Sequence, residues 1–163
     1  MRVAVFSDIQ GNPLALGAVL ADIAAAGGVD AHWCVGDAVA KGYDSVGVME
    51  RLLALPNLIA VRGNTDRNTL SDTWRDRAPT LDEAQADSKE LMRLIALVRS
   101  FAWTRDAITS AGHYDWLAAL PLERRVALLD GTRVLLVHAA PGTDGGLGLH
   151  AGQSGEEMRA ALR

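Results

Sequence analysis

Apolar residues along this chain fall into two rhythms. Four short runs have the length and composition of buried strands: Val3-Ala4-Val5-Phe6, Ala31-His32-Trp33-Cys34-Val35, Leu58-Ile59-Ala60-Val61 and Val134-Leu135-Leu136-Val137. Helical spacing separates the first three. Asn12 suits an N-cap and Pro13 a first helical position; Leu16, Val19, Leu20 and Ile23 recur on one face, and Gly27-Gly28 ends the segment. Asp44 or Ser45 can cap a second helix that turns Met49, Leu52 and Leu53 to the core and stops at Pro56. The order β-α-β-α-β predicts parallel strands joined by right-handed crossovers.

After residue 66 the pattern changes. Residues 67–80 are polar and irregular and include Trp74. Thr80-x-x-Glu83 has the form of a capping box and opens a helix carrying Leu91, Leu94, Ile95 and Val98. Ser110 to Leu120 reads as a further helix, with His113, Trp116, Leu117 and Leu120 on one side and Pro121 at its end. The expectation is one domain over 1–163 with a helical insertion at about 67–120. Asp130-Gly131 between Val126-Ala127-Leu128-Leu129 and Val134–Val137 predicts a hairpin, which mixes antiparallel pairing into the fold. A Gly-rich loop covers 142–153, and Ser154-x-x-Glu157 starts a last helix with Met158 and Leu162. The leucine pattern from Leu91 to Val98 is core or partner contact, which leaves a homo-oligomer open.

Composition narrows the function. The chain has 163 residues, 49% of them hydrophobic, enough for one domain with a real core. Its net charge of −4 and lack of a basic patch argue against stable nucleic-acid binding, which needs Lys and Arg at phosphates. No apolar stretch reaches the ~18 residues of a membrane span. A strand begins at once with no signal peptide ahead of it, and the lone Cys34 excludes an internal disulfide, so a cytoplasmic location is expected. Cys34 reads as a small buried hydrophobe.

The strand-like runs end alike. They lead into Ser7-Asp8-Ile9-Gln10-Gly11-Asn12, Gly36-Asp37, Arg62-Gly63-Asn64-Thr65-Asp66 and His138-Ala139-Ala140-Pro141-Gly142. Ligands of open α/β sheets bind at the carboxyl ends of strands. Two carboxylates, an amide oxygen and an imidazole gathered there suit hard or borderline divalent metals. Structural alternatives stand beside this reading. Asp8 could cap a helix N-terminus, Asn64 could be a turn residue, Asp66 could start the next helix, and His138 could be a satisfied core histidine. Asp37, in Gly-Asp-Ala-Val, has no equally good local alternative. His32 and His113 read as structural, and Arg62 as a phosphate contact or a surface residue. Trp74 and Trp103 could pack a nucleobase or an acyl group, although burial is the commoner fate. A dinucleotide-binding module is excluded by the first turn, Asp8-Ile9-Gln10-Gly11-Asn12-Pro13, which is not Gly-x-Gly-x-x-Gly.

The ordered set Ser-Asp-x-x-Gly-Asn, Gly-Asp, Gly-Asn-x-Asp and Val-His resembles the calcineurin-like metallophosphoesterases, in particular their small bacterial phosphodiesterase branch, from Val3 to about Pro141. The resemblance implies an α/β sandwich of mixed sheets with two divalent ions (Mn, Fe, Zn or Ni). Asp8 would bind the first and Asp37 would bridge both. Asn64 and His138 would bind the second, Asn64 also orienting substrate, and Asp66 would orient the site from behind. Two ions ~3.5–4 Å apart would clamp phosphoryl oxygens and acidify a bridging water. The implied activity is hydrolysis of a small phosphorylated molecule or nucleotide, most simply a phosphodiester. The alternative is a catalytically degenerate binding or scaffold protein on the same fold.

Three departures bear on that choice. Gln10 stands where the family has a metal-binding His; its carbonyl oxygen is a weaker ligand for transition metals. Thr65 stands where many members carry a His that protonates the leaving group, which Thr cannot do near neutral pH. The family's late Gly-His-x-His segment has no counterpart, so the C-terminal part of the domain is expected to lie outside these 163 residues. His150, in the Gly-rich loop, could substitute as a ligand.

Overall fold

The computed structural model describes residues 1–71, 82, 87–146 and 148–161. Trp74 and the Thr80–Glu83 box lie outside the described residues. Strands β1 (Val3–Phe6), β2 (Ala31–Val35) and β3 (Leu58–Val61) form a parallel sheet in the order β1-β2-β3. Val5 pairs with Trp33 and Trp33 with Ile59, so the strands finish level with one another. Helices α1 (Pro13–Ala25) and α2 (Ser45–Leu53) make the two crossovers. The caps are those the sequence offers. Asn12 accepts the Ala15 N–H and Asp44 the Gly47 N–H, while Gly27 and Gly28 close α1 by bonding back to Ala24 and Ile23.

Strands β4 (Glu123–Ala127) and β5 (Arg133–Val137) make an antiparallel hairpin, a second and separate sheet. Its turn holds Asp130-Gly131, but Leu129 belongs to the turn and not to the strand, and its side chain is fully exposed. Alternation along β2 divides the interior in two. Ala31 and Trp33 face the hairpin, packing with Val61 and Leu136. Cys34 faces the helices, packing with Leu16, Val48, Met49, Leu52, Ile108 and Leu117. Burying a side chain the size of Met49 or Leu52 is worth roughly 1.5–3 kcal/mol. The fold is thus the mixed α/β arrangement expected, with helices on one face of the parallel sheet and a hairpin on the other.

Several boundaries differ from expectation. Val19 and Leu53 are exposed, and Val48 takes the core position instead. Residues 67–70, expected to be irregular, continue helix α3 (Asn64–Leu70), whose buried face is polar: Thr65, Asp66 and Thr69. A helix without an apolar face leaves no hydrophobic period to read. The long helix α4 runs from Ser88 to Ser110 and is capped by Asp87, while α5 (Tyr114–Ala118) is a separate short helix. Gly112, at φ +77°, breaks the two apart: the N–H of Gly112 bonds to Thr109 O and that of His113 to Ile108 O, a Schellman ending. Trp103 is half exposed on α4. The last helix, α6 (Gly155–Ala161), starts with the expected reciprocal bonds between Ser154 and Glu157. No helix among the described residues is long and apolar enough to cross a membrane.

Candidate metal centre

The level ends of β1, β2 and β3 bring their following loops to one edge, and the backbone ties them together. The N–H groups of Asp8, Gln10 and Gly11 donate to the carbonyls of Gly36, Asp37 and Ala38 at 2.9–3.1 Å. Asp8, Gln10 and Asp37 are all held in the left-handed region, at φ 54°, 48° and 57°. Such a backbone costs a residue with a Cβ about 1–2 kcal/mol, though Asp pays least. It turns the three side chains out of the strand direction toward a common point.

His138, the residue after β5, completes the group. Ligand atoms of Asp8, Asp37 and His138 all lie within 4.8 Å of one another. His138 Nδ1 is 2.8 Å from Val35 O. A carbonyl can only accept, so Nδ1 carries the proton and Nε2 presents a lone pair. That Nε2 faces Asn64 Oδ1 at 3.3 Å and Asp37 Oδ1 at 3.5 Å. With the Asn64 amide in this orientation, three atoms bearing lone pairs converge, a set that accepts a cation. The donor types therefore fit a divalent metal. The Gln10 amide sits between the two carboxylates, with Nε2 at 3.4 Å from both Asp8 Oδ1 and Asp37 Oδ2. A half-turn of that amide puts its carbonyl oxygen there as a ligand.

Asp66 is fully buried beneath this group. Its Oδ2 accepts the N–H of Asp37 and of Gly63, both at 2.9 Å, and its Oδ1 those of Ala38 at 2.9 Å and Val39 at 3.2 Å. The bond to Gly63 is also half of a capping box for α3. Burial pushes the Asp66 carboxyl up to about 6, against the downward pull of these amides. Asp37 Oδ1 in turn accepts the Thr65 N–H at 2.9 Å. The Thr65 side chain is buried, its hydroxyl without a partner among the described residues, so it does not reach the open side of the site.

Two glycines permit the packing. A Cβ on Gly63 would collide with the Asp37 carboxylate and amide, and one on Gly36 would lie 2.7 Å from His138 Nδ1. Two further residues were not foreseen. Ser7 Oγ donates to Asp8 Oδ2 at 2.6 Å. Asp144, buried in the Gly-rich loop, lies 3.1 Å from Arg62 Nε and 3.0 Å from Arg67 Nε, clasping that loop to the residue after β3 and to the body of α3. A lone acid among glycines was the available signal. Arg62 is thus tied to Asp144 and is not a free surface residue. His150 is exposed, accepts the Gly152 N–H and stands outside the cluster; His32 is buried against Pro56 O. A cleft of about 590 Å³ between β3, α5 and β4 contains none of the site residues.

Solved structures are similar in fold. A metallophosphoesterase from Sphaerobacter thermophilus is 30% identical, with a TM-score of 0.53 over 76% of this chain and 42% of that one. A candidate diadenosine tetraphosphatase is 25% identical, with a TM-score of 0.54 over 95% of this chain and 54% of that one. Hypothetical protein PH1004 from Pyrococcus horikoshii OT3, at 18% identity, shares the fold with a TM-score of 0.72 over 99% of this chain and 64% of that one. The chain spans less than two thirds of the length of each. No curated protein matches it. The family model for calcineurin-like phosphoesterases matches residues 1–152, and the chain belongs to that family.

Proposed function

We propose that the chain is a metal-dependent phosphodiesterase acting on a small phosphorylated molecule or nucleotide. The observation that carries this reading is the cluster of Asp8, Asp37 and His138, in which Asn64 and Asp37 face Nε2 of a histidine whose proton is held on the other nitrogen. Asp8, Gln10 and Asp37 would hold one divalent ion, and Asp37, Asn64 and His138 a second. Bound there, such ions supply Lewis-acid stabilisation of phosphoryl oxygens and an acidified water. The chain's own residues do the rest. Asp37 offsets the repulsion between cations, and Val35 O fixes the tautomer of His138. Asp66 holds the Asp37 loop, and the Asn64 amide orients a phosphoryl oxygen. Residues 1–163 act in this reading as one domain, with the helices between about 67 and 120 as an insertion.

Substrate choice follows from Thr65. With no acid at that position, a leaving group must depart without a proton, which favours a phosphoanhydride or another stable anion over an alkoxide. A structural relative described as a candidate diadenosine tetraphosphatase supports a nucleotide of that kind. A second reading is a degenerate member that binds without turnover. It is favoured by the buried Thr65 and by the amide nitrogen that Gln10 turns to the carboxylates.

The deciding experiment measures metal per chain by elemental analysis and hydrolysis of bis(p-nitrophenyl) phosphate with added Mn²⁺, for the wild type and Asp37→Ala. About two metals per chain and a metal-dependent rate, both lost in the variant, are expected. Activity that survives Asp37→Ala overturns the mechanism. Metal without turnover on any phosphodiester or phosphoanhydride selects the degenerate reading.

A further inference from the structure

Helix α4 carries large apolar side chains on two opposite faces, one packed on the core and the other exposed among charged residues. Its inner face buries Phe101, Thr104 and Ile108 against the core, with Leu91, Leu94 and Val98 half covered on the same side. On the outer face Lys89, Met92, Ala96, Arg99, Trp103 and Asp106 are all exposed. Their spacing alternates three and four residues, the repeat of a helix that packs along another helix. Met92 is 63% and Trp103 52% exposed, and Ile95 flanks them at 40%, so two large apolar side chains stand out on this face between the charged Lys89, Arg99 and Asp106. Exposed large apolar side chains bounded by charged ones have the make-up of a contact surface.

The geometry points to a second copy of this chain as its occupant, with the two α4 helices antiparallel. Charge decides the partner and the direction. In the antiparallel register centred between Leu97 and Val98, Lys89 meets Asp106 of the other copy at both ends. Met92 meets Trp103, a favourable sulfur–aromatic pair, and Ala96 makes room for the long Arg99. A parallel pair sets Lys89 on Lys89 and Asp106 on Asp106, which repels at both ends. The matched stretch is about 26 Å long at 1.5 Å per residue. The exposed face and the core-facing residues of α4 lie on opposite sides of the helix, so pairing leaves the fold and the metal centre as described. This inference therefore stands apart from the proposed chemistry.

The test is the solution mass of the full chain by light scattering on a sizing column, with circular dichroism as a fold control. The wild type should run at twice 17.3 kDa, and Trp103→Glu should run as a monomer with unchanged helix content. A second experiment reads direction: a Lys89→Cys chain mixed with an Asp106→Cys chain should form an intermolecular disulfide on mild oxidation, and Lys89→Cys alone should not. Cys34 is buried and stays out of the reaction. A wild type that stays monomeric at about 100 µM, far above a typical micromolar dissociation constant, overturns the proposal. So does a dimer that survives Trp103→Glu, or Lys89→Cys linking to itself.

Discussion

The carboxylate of Asp66 accepts the backbone N–H of Asp37 at 2.9 Å, so an acid in the first turn of α3 sets the conformation of an acid at the end of β2. The same carboxylate takes three more amides, from Ala38, Val39 and Gly63. It thereby spans the loops after β2 and β3 at once. No neutral side chain of its size can do this, because four donors need an acceptor-only group with two oxygens.

Asp66→Asn should therefore be costly. The amide offers one oxygen, and its NH₂ faces two backbone donors. Losing two charge-assisted bonds in a buried place should cost on the order of 3 kcal/mol. At roughly 2–4 °C per kcal/mol for a chain of this size, the melting temperature should fall by about 6–12 °C. Calorimetry checks this, and a loss under 1 kcal/mol would show that the loops hold their shape without Asp66.

Gly63→Ala should damage both fold and site. The added Cβ meets the carboxylate and amide of Asp37, which Asp66 already pins from below. Overpacking of this kind costs about 1–3 kcal/mol. The cation-dependent rise in melting temperature should also vanish, because the Asp37 carboxylate is displaced. A variant that keeps both stability and cation response contradicts this account of the site.

Gln10→His tests the weakest ligand. An imidazole there replaces an amide beside Asp8 and Asp37, and should tighten Mn²⁺ or Zn²⁺ binding by about 10–100-fold, the range over which ligand surroundings tune metal sites. Isothermal titration reads the change directly. Unaltered affinity would remove residue 10 from the ligand set.

Proton linkage gives a signed expectation. Burial raises the Asp66 carboxyl from 3.8 to about 6. Its contribution to stability is fully present below the lower value and is lost as pH rises through the upper one, an amount of roughly 3 kcal/mol at ~1.4 kcal/mol per unit. A divalent cation beside Asp37 favours the ionised form and offsets that loss. Saturating Mn²⁺ should thus raise the urea midpoint more at pH 7 than at pH 5. Equal stabilisation at both values would mean that Asp66 does not titrate in this window.

Much of this was legible in the sequence where one side chain or one short spacing decides the outcome. Asn12, Asp44, Gly27-Gly28 and Ser154-x-x-Glu157 place helix ends because each satisfies orphan backbone groups locally. The positions of Asp8, Asp37 and Asn64 follow from strand ends, since neighbouring parallel strands finish at one edge, whereas His138 ends a strand of the separate hairpin and reaches the site only through tertiary packing. What escaped depends on tertiary contact. Helix α3 hides because its buried face is Thr65, Asp66 and Thr69, polar residues held by the loop amides that Asp66 collects and by the Thr69 bond back to Thr65 O rather than by a hydrophobic period. Gly112 lies within the stretch from Ser110 to Leu120 that reads as one helix, although its left-handed backbone is what separates α4 from α5. The Asp144 clasp joins residues 82 positions apart in the chain, and no local pattern announces it.

The left-handed backbones of Asp8, Gln10 and Asp37 carry a lesson for anyone who would engineer this chain. Glycine at position 8 or 10 relaxes the main chain and removes a polar group at a stroke. Selection for thermal tolerance alone, or a redesign that scores only how well each residue suits its backbone, would drift toward those glycines. The most robust version of this fold and the version able to hold a cation are different sequences, and they part company first at these positions.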